Sequence, residues 1–377
     1  MNPSSSSIRV VIAALAVLGG SARLSSQTGA PPPRVPLVVG LSVTNAVRAR
    51  EGDYESVGRI DAISARGVEL TMTADAPQAP GKPAEPVSVS RTVALADLAG
   101  AHNFKFFFNT MDEALIPGTT AITLSGAALN DLRAHGQTRL TLDGRRGGLV
   151  GLVDDLLTST GGTSGLAGQL LGGGGLVTGL LKLVEPAPVP VPVLLNGSRT
   201  TLSSYHLRGH IGEGAAAEDA DLYVLDDPAN PLVLRMAIGR DTSEVIRIDL
   251  PVPDPASVME HALADTRRAV LYGIYFDFNS ATIKPQSEAV LRQIVAVMKR
   301  QPTWTLKVEG HTDNVGGDAR NLDLSTRRAA AVRAALVDRG LAADRLSAGG
   351  YGAAQPRETN ATIAGRARNR RVELSRP

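Results

Sequence analysis

Trp304-Thr305-Leu306-Lys307-Val308-Glu309-Gly310-His311-Thr312-Asp313-Asn314-Val315-Gly316-Gly317 passes from a strand into a polar loop. Trp304, Leu306 and Val308 alternate with Thr305, Lys307 and Glu309, the period-two pattern of a strand with one buried face. Past the loop, Ala329, Val332 and Leu336 recur at helical spacing, and Gly340 stops that helix after Arg339. Upstream, Val-Leu-Tyr-Gly-Ile-Tyr-Phe-Asp-Phe at 270–278 reads as one strand. Pro285 then opens a helix, at the first-turn position that needs no N–H. Its apolar face is Val290, Leu291, Ile294, Val295 and Met298. A last strand signal returns at 371–374. The alternation β-α-β-α-β predicts an α/β sandwich, with helices packed on one sheet.

Two residues in this segment bear chemistry. At 100° per residue, Arg328 falls on the flank of the second helix's apolar face, between Leu324 and Val332, whereas Arg327 points to solvent. A half-inside guanidinium is costly unless paired. Asp313 lies fifteen residues earlier, at the end of the strand that this helix follows, so the two can face a common cleft. A carboxylate beside a guanidinium suits a zwitterionic amino acid: Asp313 would take an ammonium, and Arg328 would fork a carboxylate. A plain Asp–Arg salt bridge tying loop to helix fits the spacing equally well.

Four ordered motifs carry a family resemblance. They are Tyr275-Phe276-Asp277-Phe278-Asn279-Ser280, then Glu309-Gly310-His311-Thr312-Asp313, then Asn321 with Leu324-Ser325 and Arg328-Ala329, then Asn369-Arg370-Arg371-Val372-Glu373. Together they resemble the OmpA-like C-terminal domain, over less than a third of the chain. The resemblance implies a βαβαββ fold and non-covalent binding of the diaminopimelate side chain of peptidoglycan stem peptides. By the same resemblance Asp313 and Arg328 are the paired binding residues, with Asn279 after the strand and Asn321 at the helix start. Thr312 and Leu324 are expected in support, with one arginine of Arg370-Arg371, taken as Arg371, adding to the pocket charge; a solvated strand end is the alternative for that pair.

The rest of the chain frames this module. At 377 residues, two or three domains are expected, and 43% apolar composition is enough to bury ordinary cores. From residue 269 onward, 17 Lys and Arg face 10 Asp and Glu, so a +7 module follows a −5 remainder within an overall +2. A basic module implies an anionic partner. The absence of cysteine excludes a disulfide framework, a thiol catalyst and a lipidated N-terminal Cys.

Residues 1–22 read as a secretory signal: Arg9, an apolar run at 10–18 and small residues at 20–22. The alternative is an uncleaved anchor. Residues 23–36 read as a flexible tether. The class expected is α+β, with a β-rich periplasmic domain at 37–250, for which a sandwich is the candidate architecture. A hairpin is expected around Arg66-Gly67, a helix from Ser125 to Leu132 stopped by Gly136, and a turn from Asp226 to Pro231. Phe104 with Phe106, Phe107 and Phe108 reads as a strand with core residues, a binding patch being the alternative. The Gly/Leu-rich stretch 147–185 reads as an insert between strands, with lipid contact the alternative. Residues 251–268 form a Pro-rich linker and short helix, leading to the wall-binding module at 269–377.

No catalytic constellation is visible. His311 has no Ser, Cys or second His to act with, and the other histidines lack metal spacing. No P-loop, nucleophile elbow or HExxH occurs. The expected function is a non-enzymatic, cofactor-free, metal-free peptidoglycan-binding protein of the cell envelope. It is expected to be exported to the periplasm or outer membrane of a diderm bacterium, with no nucleic-acid partner. The runner-up is an outer-membrane porin or barrel with a wall-binding tail.

Overall fold

The hairpin around Arg66-Gly67 forms as expected, joining β2 (Gly52–Ser64) to β3 (Gly67–Pro77) after β1 (Ser42–Ala49). A computed structural model describes residues 33–49, 52–77, 84–104, 118–121, 123–143, 176–214 and 217–377. The expected signal segment, most of the tether, most of the Gly/Leu-rich insert, and Phe106 to Phe108 lie outside the described residues.

Strand β4 (Ala84–Val93) completes a meander with β1 to β3. Helix α1 (Leu95–Gly100) and the two-residue strands β5 (Asn103–Phe104) and β6 (Thr119–Thr120) follow. Phe104 is buried, so this member of the aromatic cluster is a core residue. Helix α2 (Gly126–His135) has the expected ends: Ser125 caps it by accepting the Ala128 N–H at 3.1 Å, and Gly136 closes it in the left-handed conformation, φ 68°. Ser125→Ala should cost about 1 kcal/mol, read as a lower urea midpoint at unchanged m-value.

Six further strands follow: β7 (Gln137–Asp143), β8 (Leu176–Leu183), β9 (Val189–Leu195), β10 (Ser198–Ile211), β11 (Glu218–Leu225) and β12 (Val233–Ile238). The region ends with β13 (Asp241–Asp249). All thirteen strands belong to one hydrogen-bonded sheet, in the order β4-β3-β2-β1-β13-β12-β11-β10-β8-β7-β5-β6. Strand β9 pairs with both β10 and β13, so the sheet closes on itself through β9 to β13. Two apolar cores result. One gathers Val43, Ile60, Leu70, Leu202 and Ile248. The other gathers Leu129, Leu132, Leu140, Leu207 and Leu222.

Helix α3 (Pro255–Asp265), capped by Asp254, leads into the C-terminal domain. There follow β14 (Arg268–Leu271), a tight turn at Pro285–Ser287 feeding α4 (Glu288–Arg300), and β15 (Leu306–Gly310). Helix α5 (Asp318–Asp338), β16 (Leu346–Gly350), α6 (Ile363–Asn369) and β17 (Val372–Ser375) complete it. The sheet order is β14-β17-β15-β16, with β15 and β16 parallel. Leu291, Ile294, Val297 and Met298 of α4, with Ala329, Val332 and Leu336 of α5, cover Leu306, Val308 and Leu374 of the sheet.

Two expectations fail. The β-rich region is one sheet that closes on itself, not the two facing sheets of a sandwich. The strand read at 270–278 ends at Leu271. Its apolar content misled, because the backbone polar groups beyond are taken up locally. Tyr275 N–H donates to Ser287 Oγ at 2.9 Å, Lys284 N–H donates to Tyr275 O at 2.9 Å, and Phe276 pairs with Ile283 in an isolated bridge. Among the described residues, no helix is long and apolar enough to cross a membrane.

Candidate functional site

Strand β15 delivers the chain to the site, and close packing of α5 sets its depth. A Cβ on Gly310 would lie 2.2 Å from the Ser325 carbonyl oxygen, and one on Gly350 would lie 2.3 Å from the Thr326 nitrogen. Only glycine lets the helix rest on the strand ends at this distance. The loop is then pinned by backbone bonds. His311 N–H donates to Arg371 O at 3.0 Å, and Thr312 N–H donates to Gly352 O at 2.9 Å.

Asp313 is 8% exposed. Its Oδ1 accepts the Val315 N–H at 3.0 Å, and Asn321 Nδ2 donates to its carbonyl at 3.1 Å. Asn321 is therefore a loop-to-helix tie, with its amide turned back onto the chain. Arg328 is half-buried, with Nε donating to Ser280 O at 2.9 Å and its guanidinium 4.8 Å from the Phe276 ring centroid. Asn279 supplies that turn: its φ of 51° is tolerated by Asn far better than by most residues, and it sets Ser280 under Arg328. Thr312 and Leu324 are buried beside Asp313 and on α5, and among the described residues no hydrogen bond satisfies Thr312 Oγ1. Asp313, Arg328, Asn279 and Asn321 thus come together from three separate segments.

Of the two alternatives for Asp313 and Arg328, the plain salt bridge between them does not form. Asp313 Oδ2 accepts from Arg370 Nη1 at 2.7 Å, not from Arg328. Arg370 also donates through Nη2 to Glu55 Oε1 of β2 at 2.5 Å. Arg328 itself makes no ion pair among the described residues. Burial first, then the neighbouring Arg370 and Arg327, push its pKa down to about 10, while Asp313 and Glu55 pull the other way. Burial also opposes the charge on Arg370, but Glu55 and Asp313 outweigh it and hold its pKa above the usual value.

Arg371, expected in support of the pocket, is turned elsewhere. It donates to Glu373 at 2.6 Å and to the carbonyls of Asn369 and Gln355. Side chains alternate as the chain enters β17, so Arg370 goes with Val372 and Leu374 while Arg371 goes with Glu373. The adjacent-arginine signal was visible in the sequence, but choosing between the two required the strand's phase.

The face bearing Glu373 holds a buried polar cluster. Glu309 and Glu373 sit opposite each other across β15 and β17, an unfavourable pairing alone. Arg268 Nη1 bridges them at 2.9 and 3.1 Å, and Arg357 joins Glu373 at 3.2 Å. Tyr351 donates to Glu309 at 3.1 Å and receives Lys307 Nζ at 2.6 Å. His311 stacks on Tyr351 with ring centroids 5.3 Å apart. Burial, then Arg371, push His311 down to about 4, so it is neutral at physiological pH. Glu309, His311 and Glu373 have donor atoms within 4.8 Å of one another. A divalent ion there would compete with Arg268, Arg357 and Arg371 for carboxylates already neutralised.

Known proteins resemble the same segment. The model of the OmpA family matches residues 275–370. Outer membrane porin F of Pseudomonas fluorescens is 45% identical over 102 residues, 27% of this chain and 31% of its own. Peptidoglycan-binding protein ArfA of Mycobacterium bovis is 35% identical over 125 residues, 33% of this chain and 37% of its own. The crystal structure of the peptidoglycan-associated lipoprotein from Burkholderia pseudomallei is 31% identical, covers 30% of this chain and 98% of that chain, and superposes with a TM-score of 0.27. The chain spans about a third to a half of the length of the first curated relatives it matches. The four motifs and the family match agree, the fold adds one short helix, α6, to the βαβαββ order that the resemblance implied, and residues 275–370 are an OmpA-family domain.

Proposed function

We propose that the C-terminal domain binds peptidoglycan non-covalently by gripping the diaminopimelate of the stem peptide, and that the chain is thereby a wall anchor of the cell envelope. The observation that carries this reading is Arg328. It is a half-buried cation whose pKa is pushed down to about 10, and among the described residues its side chain donates only to the neutral Ser280 carbonyl. A ligand carboxylate supplies the missing countercharge through a charge-assisted fork. Asp313, the nearby carboxylate, receives the ligand's ammonium. Asn279 and Asn321 hold the turn and the loop that set the two groups apart.

Relatives support the same class. ArfA is named for peptidoglycan binding, and porin F for the outer membrane. An exported protein on the periplasmic side of a diderm envelope fits both. The domain works by positioned charge, with no bond made or broken.

The test is sedimentation with purified diaminopimelate-type sacculi in the presence of free amino acids. Free meso-diaminopimelate should release the protein into the supernatant. Lysine, which has the ammonium groups but lacks the second carboxylate, should not do so at equal concentration. Equal release by both would mean that the carboxylate is not read. Pelleting that resists saturating diaminopimelate would remove the assignment altogether.

A further inference from the structure

The cationic side of the site is already partly occupied, by the protein's own β-rich region. Glu55 of β2 reaches Arg370, 315 positions later in the chain, and Arg370 in turn holds Asp313. Glu55 does not act alone. Register places Ser56 against Ala74, which sets Glu55 across from Asp75, and Asp53 lies two residues away on the same face. Like charges opposed across strands are unfavourable on their own. Here each acid meets a base of the C-terminal domain: Asp53 with Arg366, Glu55 with Arg370, and Asp75 with Lys284. Arg199 of β10 makes the reverse pair with Glu358.

We propose that the β-rich region is a built-in competitor for the wall ligand: Glu55 holds the place beside Arg370 and Arg328 that the ligand's carboxylate takes, and the acidic row leaves the domain when peptidoglycan binds. This rests on the reading of Arg328 and Asp313 as the diaminopimelate grip. The chemistry of the two occupants is the same, a carboxylate presented to guanidinium. Glu55 satisfies Arg370 and leaves Arg328 without an ion pair among the described residues, so the seam is a partial substitute that a better-placed carboxylate can displace.

The contact is built to part. Its ion pairs range from 12% exposed side-chain area at Lys284 to 70% at Arg199, with Glu55 at 30% and Arg370 at 32%, and the more exposed pairs contribute little each. The apolar contact beneath is small: Ala46 and Ile246 against Ala364 and Ala367, with Ile363 at its edge. A cleft lined by Thr44, Glu55, Arg247, Tyr275, Arg368 and Arg370 runs along the seam. The connection, Leu250-Pro251-Val252-Pro253-Asp254, has no regular structure and is partly exposed. Polar, modest interfaces of this kind between domains permit relative motion.

The experiment uses the full chain and a soluble muropeptide carrying free diaminopimelate. Glu55→Gln removes the competing charge at nearly constant shape, and Glu55→Ala removes the hydrogen bond as well. Each should tighten muropeptide binding about two- to fivefold, the weight of one partly exposed ion pair. Small-angle scattering of the wild type should show a larger radius of gyration once the muropeptide is saturating. Unchanged or weaker binding by both variants, or an unchanged radius, would overturn the proposal while leaving the grip intact. If wild type does not bind, or Arg328→Ala binds as well as wild type, the grip itself is wrong and the competitor falls with it.

Discussion

Arg328→Ala is expected to lower affinity for diaminopimelate-type sacculi by about 30-fold or more, while leaving thermal stability unchanged or slightly raised. The two halves of this result have separate physical origins. In the complex, removing the guanidinium strands the ligand carboxylate in a partly desolvated site, and losing one member of such a pair costs about 2–5 kcal/mol. In the free protein, Arg328 contributes no ion pair among the described residues and is destabilised in its charged form by burial and by Arg370 and Arg327. Its removal therefore relieves that cost, which offsets the loss of the Ser280 hydrogen bond and the Phe276 ring contact. Sedimentation and a thermal melt on the same preparation read both halves. Loss of binding together with a large fall in melting temperature would mean that Arg328 is a structural residue. Asp313→Ala offers a contrast: it should also lose binding, yet among the described residues it leaves Arg370 paired only with Glu55, so some stability should go with it.

Glu373→Ala should be the most destabilising single change in the C-terminal domain, by about 3–5 kcal/mol, because removing one member of a buried ionic network leaves its partners uncompensated. Glu373 is 1% exposed and serves Arg371, Arg268 and Arg357 together. Burial works against its charge, but the Arg371 bond and nearby cations still hold its pKa below the usual value. Without it, Arg371 keeps only carbonyl acceptors in a buried position. Calorimetry should show a fall in melting temperature on the order of 10 °C. A change of only a degree or two would mean that the cluster tolerates rearrangement around Glu309.

Local features of the fold were legible because local physics writes them. Ser125 with Gly136, and Gly340, marked helix ends through orphan backbone groups and left-handed geometry. Apolar spacing located α4 and α5. The same reasoning overreached at 272–278, where apolar side chains promised a strand but Ser287 and Lys284 took the backbone of Tyr275. Periodicity reports which side chains can be buried, not where their amides go.

The sequence by itself determined that the last third of the chain carries a charged loop followed by a helix with a half-inside arginine, in an order that resembles one family. It also determined the imbalance of a +7 module after a −5 remainder. Only the tertiary structure decided what those charges meet. The phase of β17 chose Arg370 over Arg371 as the partner of Asp313. The approach of β2 then brought Glu55 to Arg370 across 315 positions. Part of the basic surplus, which alone implied an external anion, is answered within the chain. Composition and spacing could not show this, because an ion pair depends on distances of a few ångströms that the packing of two distant segments alone establishes.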